Sequence, residues 1–387
     1  MSDTRKTTKP NVPNLRFPGF EGEWENKRIG DIGKFFSGGT PSSSRKDFYG
    51  GEIPFIRSGE IHSDKTELFL TQEGYKNSSA KMVEVGDILL ALYGANSGDI
   101  SISQMRCAIN QAILCIRTNV APVFFKSVWE KHAQKILNTY LQGGQGNLSA
   151  DIVKKITISI PSQIEQAKIA ALFSHLDERI SIQNRLIEDL KKFKCAIVEK
   201  LYSEIQGKEY SYRQLFEIIN ERNSRLEYSN VLSASQEKGM VNREDLNLDI
   251  KFELSNINTY KIVREGDYVI HLRSFQGGFA FSNMVGVCSP AYTIMRPKKL
   301  LEYGYLSYYF TSRKFIKSLI IVTYGIRDGR SINVDEWLDM KNIIPSKEQQ
   351  QHILRTIRGF ENKIEVEEMY ASCLSKQKLY LLRQMFI

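Results

Sequence analysis

The chain has 387 residues, 42% hydrophobic and 25% charged, enough for two or three domains with cores of their own; this composition excludes wholesale disorder. A formal net charge of +9 and a pI near 9.1 favour an anionic partner, either nucleic acid or an acidic membrane surface. The five cysteines form no C-x-x-C pair, so neither a zinc site nor a disulfide framework is supported, and reduced thiols in a cytoplasmic protein are expected.

In chain order, residues 1–15 read as a loose basic tail without the apolar run of a signal peptide. No later stretch approaches the roughly 18 uncharged apolar residues of a membrane span. A first unit, residues 16–160, mixes short strands with Gly-rich turns. Within it Val83 to Tyr93 reads as one buried strand entered through a Gly-Asp turn, and residues 122–141 read as a helix ending at Gly143-Gly144. Pro161-Ser162 starts a long helix, with Ser162 as N-cap and Glu165 completing a capping box. Its apolar residues, from Ile169 and Phe173 to Ile197 and Leu201, recur at a mean step near 3.5, the seam of a coiled coil.

The chain then repeats itself. Glu84-Val-Gly-Asp-Ile-Leu-Leu recurs as Arg264-Glu-Gly-Asp-Tyr-Val-Ile, 180 residues on. Ala112 to Arg117 recurs as Ala291 to Arg296, and Ile160-Pro-Ser with Gln166 as Ile344-Pro-Ser with Gln350. Small changes of offset are what loop insertions leave between duplicated units. The second unit, residues 207–344, is therefore expected to have a strand at Tyr268 to Leu272 and a helix at 301–322. A second long helix follows Pro345-Ser346, with Gln349 in the reciprocal capping position and a seam from Ile353 to Met385.

The fold class expected is two α/β (α+β) domains alternating with two long helices, 161–206 and 345–387. The first helix delivers the chain to the second unit and the second helix must return, so the pair is antiparallel. At 1.5 Å per residue each spans roughly 60 Å. Gln183 and Glu367, 184 apart, put polar side chains at seam positions near mid-helix, where they are expected to fix register.

Catalytic motifs are absent: there is no P-loop, no H-E-x-x-H, and none of the ten prolines follows Asn or Asp as in an amino-methyltransferase motif. Glu25-Asn26-Lys27 and Glu361-Asn362-Lys363 have the Glu-x-Lys form used by nucleases but no recognisable partner Asp. The loops carry binding chemistry instead. In the first unit the candidates are Thr40, Ser42, Arg45, Lys46, Arg57, Tyr93, Asn96, Asn110, Gln111, Gln145 and Asn147. In the second they are Arg222, Arg225, Arg273, Ser274, Gln276, Tyr292, Arg327, Arg330 and Ser331. Arg, Asn and Gln carry the forked groups that read base edges, while Ser, Thr and Lys commonly hold phosphates. The same residue types also serve solvated turns, and Arg213, Arg222 and Arg225 could bind phosphate or face water.

Several runs together resemble one family over nearly the whole chain. They are Leu15-Arg-Phe-Pro-Gly-Phe, Ser37-Gly-Gly-Thr-Pro-Ser with Tyr49-Gly-Gly-Glu-Ile-Pro-Phe, Gly86-Asp-Ile-Leu, Ala108-Ile-Asn-Gln-Ala, and Ile160-Pro with Glu165-Gln166. The resemblance is to the specificity subunit of type I restriction–modification systems. It implies two target recognition domains, each reading half of a bipartite site in double-stranded DNA, with the helices fixing the spacing. It also implies a non-catalytic chain gripped by two methyltransferase (modification) subunits and joined by restriction/translocase subunits. S-adenosylmethionine, ATP and Mg then belong to those partners, and no metal to this chain. The alternative is a stand-alone DNA methyltransferase or nuclease, which would need a catalytic module outside the repeats. The second unit departs from the family pattern, lacking the Gly-Gly-Thr-Pro loop and carrying Pro290-Ala291-Tyr292 where the first has Asn110-Gln111.

Overall fold

A computed structural model describes residues 10–141, 147–235, 238–246, 254–271, 278–324 and 331–387. The chain divides into two compact units, residues 1–184 with 369–387 and residues 185–368, so each unit takes one end of both long helices.

In the first unit a four-stranded antiparallel sheet runs in the order Gly33–Ser37, Ile113–Thr118, Ile88–Ala91, Ile100–Ile102. The uninterrupted apolar run Ile88–Ala91 follows from burial on both faces. Ile88 and Leu90 join a core with Phe124, Trp129 and Phe173, while Leu89 and Ala91 point into a separate cluster with Val83, Cys107 and Cys115. A second sheet orders Phe69–Leu70, Tyr49–Ile56, Cys107–Ile109 and Lys81–Val83, with the central pair parallel. The expected single strand from Val83 to Tyr93 is thus two strands in two sheets. Gly86, at φ +94°, makes the turn that separates them.

The second unit repeats this frame. Phe216–Ile219, Thr293–Pro297, Tyr268–Ile270 and Phe279–Phe281 form a sheet of the same order, and Lys261–Val263 pairs with Gly286–Cys288 as Lys81–Val83 does with Cys107–Ile109. The alternation recurs: Tyr268 and Ile270 face one cluster and Val269 the other. One expectation is corrected. Residues 301–322 are not one helix like Pro122–Leu141 but two short ones, Tyr305–Tyr309 and Arg313–Ser318, followed by a 3-10 turn at Leu319–Val322. Ser312 restarts the helix, its hydroxyl accepting the Phe315 N–H at 3.2 Å.

The repeated motifs turn out to brace the frame. Asp87 accepts the Glu84 N–H at 2.8 Å and two bonds from Arg117 Nε and Nη2 at 2.9 and 2.7 Å; Asp267 does the same with the Arg264 N–H at 2.9 Å and Arg296 at 2.9 and 3.0 Å. Gly-Asp and the arginine that ends each Ala-to-Arg motif are therefore halves of one clamp. Gln166 and Gln350 are a second. Their side-chain oxygens accept the N–H groups of Ala121 at 3.2 Å and Glu302 at 2.8 Å, and their amides donate to the carbonyls of Pro161 and Pro345.

The long helices span Gln163–Ser203 and Lys347–Met385. Ser162 and Ser346 cap them at 3.4 Å to the N–H three residues on. The capping box at Glu165 is not made, because its buried carboxylate holds Arg16 through bonds of 2.7 and 2.8 Å. In each unit the helices run antiparallel. In the first, Phe173 packs on Phe386 and Asp177 pairs with Lys378; in the second, Phe193 meets Phe360 and Lys194 pairs with Glu361. The seam drifts along the first helix, so that Val198 and Tyr202 are buried and Phe193 is half exposed, as a 3.6-residue turn against a 3.5 repeat requires. Residues 10–15 are not loose. Asn11 accepts the Trp24 N–H through its carbonyl at 2.9 Å, and the Leu15 N–H donates to the Gln384 carbonyl at 2.9 Å. All five cysteines are free; burial pushes Cys107 up to about 11 and Cys288 up to about 12. Among the described residues no helix is long and apolar enough to cross a membrane.

Candidate nucleic-acid interface

The parallel pairing of Phe55-Ile56 with Ala108-Ile109 decides where the first unit's loops emerge. Parallel strands end on the same side, so Arg57 and Asn110-Gln111 leave the sheet together. Ala91 lies opposite Ile113, and the Leu92 N–H donates to the Ala112 carbonyl at 2.8 Å, which brings the Tyr93–Gly98 loop out at the same edge. Four loops of the sequence candidates thus converge when the Gly38-Gly39 turn is added.

That turn is pressed against the sheet. The Gly38 N–H donates to the Asn110 carbonyl at 3.2 Å, and a Cβ on Gly38 would stand 1.7 Å from the Ile109 carbonyl oxygen. A Cβ on Gly39 would stand 2.6 Å from the Ser79 Cβ. Only glycine permits this approach. Pro41 is buried behind it and its carbonyl accepts the Tyr49 hydroxyl at 2.6 Å. Thr40 is thereby held over Gln111, donating to its side-chain oxygen at 2.6 Å, with both residues exposed.

The remaining candidates divide by what their polar groups already do. Asn110 is nine-tenths buried and its Oδ1 accepts the Ala112 N–H at 3.1 Å, so it forms the turn that displays Gln111. Tyr93 is partly buried against the core. Arg45 is half exposed, lies over the Phe48 ring at 4.3 Å and grips Asp47 through bonds of 2.9 and 2.6 Å, which holds the Asp47 carboxyl below its usual range. Ser42 shares a 2.8 Å hydrogen bond with Ser44, and Lys46 and Asn147 are exposed. Arg57 is 64% exposed, with its Nε 3.5 Å from Glu60. The Asn96 amide nitrogen lies 3.5 Å from where a Gly59 Cβ would be, so the Arg57 and Asn96 loops adjoin. Gln145 lies outside the described residues.

In the second unit the edge is built on the same frame but with different chemistry. Ile270 lies opposite Thr293, as Leu90 lies opposite Leu114, so His271 and Tyr292 take the places of Ala91 and Ile113. Tyr292 stacks on His271 with ring centroids 5.7 Å apart and planes 15° apart, and its carbonyl accepts Lys261 Nζ at 2.8 Å. Burial lowers the His271 pKa, which keeps the ring neutral at pH 7. The sequence reading missed His271, although its place directly before the loop that answers Tyr93–Gly98 was the available signal. Arg222 is exposed and bridges through its backbone to Lys261; Arg225 is exposed, 4.0 Å from Glu227. Arg213, by contrast, is tied to Asp339 at 2.8 Å. Arg273, Ser274, Gln276, Arg327 and Arg330 lie outside the described residues, as does the side chain of Ser331, which opens the short strand Ser331–Ile332.

Of the two seam polars, Gln183 is buried, and Glu367 holds Lys363 at 2.5 Å. Among the described residues no group of three or more His, Cys, Asp or Glu side chains could hold a metal ion.

Comparison with known proteins gives a consistent picture. Residues 21–192 match the family model of the type I restriction modification DNA specificity domain. The MjaIX specificity subunit of Methanocaldococcus jannaschii is 27% identical over 198 residues, 48% of this chain and 45% of that one. The EcoR124I/EcoR124II specificity subunit of Escherichia coli is 26% identical over 206 residues, 50% of this chain and 47% of that one. These matches span about half the length of each relative. The MjaVIII specificity subunit of M. jannaschii matches at 22% identity over 92% of this chain and 90% of its own. Among solved structures, the S subunit of a type I restriction–modification system from M. genitalium superposes with a TM-score of 0.57 at 13% identity, covering 97% of this chain and 99% of that one; the likeness shows a common fold.

Proposed function

We propose that the chain is a type I restriction–modification specificity subunit, the DNA-reading, non-catalytic member of such a complex. In this reading each unit recognises one half of a bipartite site in double-stranded DNA, and the paired helices set the distance between the halves. The observation that carries it is a constant frame with variable edges. Asp87–Arg117 and Asp267–Arg296 brace the two sheets identically, while Thr40–Gln111 stands at one sheet edge and His271–Tyr292 at the other. Two copies of one scaffold with different side chains at the same end of the frame suit two different half-sites.

Two methyltransferase subunits and, for restriction, translocase-nuclease subunits complete the assembly, which acts in the cytoplasm. They bring S-adenosylmethionine, ATP and magnesium. Gln183 and Glu367 fix the helix register in this reading. The test is to map methylated sites in cells that carry the chain with its modification subunit, then to exchange residues 208–344 for the corresponding segment of another specificity subunit. One half of the methylated site should change and the other should not; an unchanged site would refute the assignment. A stand-alone methyltransferase or nuclease requires the purified chain to modify or cut DNA by itself, and no activity is expected.

A further inference from the structure

The duplication lets each unit serve as a control for the other. The Gln166 and Gln350 clamps place Glu302 at the position of Ala121, an offset of 181. The following buried residues agree: Phe124, Phe125, Val128 and Trp129 fall on Tyr305, Leu306, Tyr309 and Phe310. On this alignment Lys126 and Glu130 fall on Ser307 and Thr311.

In the first unit those two long side chains fill the angle between domain and helices. Lys126 reaches Asp177 at 2.6 Å and Glu130 at 3.2 Å, and Lys378 meets both carboxylates at 2.7 Å. The second unit keeps the helix pair of this cluster, with Glu361 and Lys194 3.2 Å apart, each 184 residues from its counterpart. It lacks the filling. Ser307 and Thr311 turn their hydroxyls back to the carbonyls of Gly304 and Tyr308 at 2.7 and 2.8 Å. A cleft of about 480 Å³ opens in their place, the size of a small-ligand site.

Its lining is chemically specific. Phe281 and Tyr303 meet edge to face at 5.1 Å and supply aromatic wall. Lys194, Lys238 and Arg358 bring three positive charges. Glu361 is the acid among the lining residues, and it is already engaged by Lys194 and by the Tyr308 hydroxyl at 2.6 Å. Positive charge is therefore in excess beside flat apolar rings.

We propose that this cleft binds a nucleotide, its ring against Phe281 and Tyr303 and its phosphate between Lys238 and Arg358. The nucleotide is either free in solution or swung out of a DNA strand, since the recognising chemistry is the same. The test uses the full chain and titrates AMP by calorimetry beside inorganic phosphate. AMP should bind more tightly than phosphate. Lys238→Gln and Arg358→Gln, both on exposed side chains, should each weaken AMP about ten-fold or more, the factor one charge-assisted hydrogen bond is worth. The double substitution Ser307→Lys with Thr311→Glu restores the first unit's filling and should abolish binding while the circular dichroism and melting temperature hold. Competition by a duplex with a one-nucleotide bulge, but not by the fully paired duplex, assigns the nucleotide to DNA; competition by neither assigns it to the free pool. Absence of both AMP binding and bulge binding at millimolar concentration would overturn the proposal, as would binding that survives the filled cleft. Neither readout depends on which sequence the assembled complex modifies.

Discussion

Replacing Gly38 by Ala tests whether the pressed turn beside the first sheet serves recognition as well as packing. The new Cβ would lie 1.7 Å from the Ile109 carbonyl oxygen, a backbone atom in a central strand that cannot swing aside. Ordinary contact begins near 3.4 Å, so the turn must lift by roughly 1.5 Å or more. A lift of that size breaks the 3.2 Å bond from the Gly38 N–H to the Asn110 carbonyl, at a cost of about 1 kcal/mol. Overpacking adds about 1–3 kcal/mol. A total near 3 kcal/mol should lower the melting transition of the first unit by roughly 6–12 °C. The same displacement separates Thr40 from Gln111, so methylation at the first half-site should fall further than the stability loss explains, with the second half of the site still read correctly. Calorimetric melting and methylation mapping on the assembled complex give both readouts. Gly359→Ala is the control: nothing lies within 4 Å of its Cβ and it sits inside the second long helix, so it should stabilise by about 0.5–1 kcal/mol. A Gly38→Ala protein that melts and methylates like the parent would refute the reasoning.

Arg57→Ala or Asn96→Ala should weaken modification at one half-site only, measured by methylation of substrates altered in one half; equal loss at both halves would mark a phosphate or folding role. One helical turn inserted after Gln183 should lengthen the spacer between half-sites without changing either half, and mapped sites of unchanged spacing would refute the measuring role of the helices. Asp87→Asn tests the frame clamp through pH. Burial alone would raise the Asp87 carboxyl, but the bonds from Arg117 and the Glu84 N–H outweigh it and hold its pKa below the ordinary value. A depressed carboxyl contributes stability above its unfolded pKa of about 4 and loses it as pH falls through the lowered folded value. Because Arg117 is 41% exposed, the loss at pH 7 should be only about 1 kcal/mol, and parent and variant should converge in acid denaturation curves. A gap independent of pH would show that the pair is not the source.

What was legible in the sequence is what repeats or what is periodic. The helix bounds followed from Pro161-Ser162 and Pro345-Ser346 and from the seam, because capping and helical periodicity act within a few residues. The duplicated motifs were visible, but not their purpose. Asp87 and Arg117 are 30 residues apart, and nothing in either motif announces that one clamps the other. The convergence of Thr40, Arg57, Asn96 and Gln111 depends on a two-residue parallel pairing between Phe55-Ile56 and Ala108-Ile109, a long-range event with no local signature. For the same reason Glu165 read as a capping-box residue, its actual partner Arg16 lying 149 residues away. Local signals also misled where a single residue redirects the chain, at the Gly86 turn and at the Ser312 restart.

On the proposed function, the clamps explain how one scaffold can serve two readers. A loop that both braces the fold and contacts DNA cannot change its chemistry without a stability cost. Here the bracing is done by Asp87–Arg117, Asp267–Arg296, Gln166 and Gln350, all placed away from the edges at which the candidate loops emerge. Residues without shared partners contribute nearly additively, so the loops can vary at a cost close to that of ordinary surface substitutions. The exception sharpens the point. Gly38 and Asn110 are both edge and frame, since one presses on Ile109 and the other forms the turn beneath Gln111. The second unit keeps the turn, Ser289 Oγ accepting the Ala291 N–H at 3.3 Å as Asn110 Oδ1 accepts that of Ala112, but it carries Pro290 in the place of Gln111 and seats Tyr292 on His271. On the proposed function, changing recognition here means changing what a retained turn displays, while at the exposed Arg57 or Lys46 it means changing a single side chain.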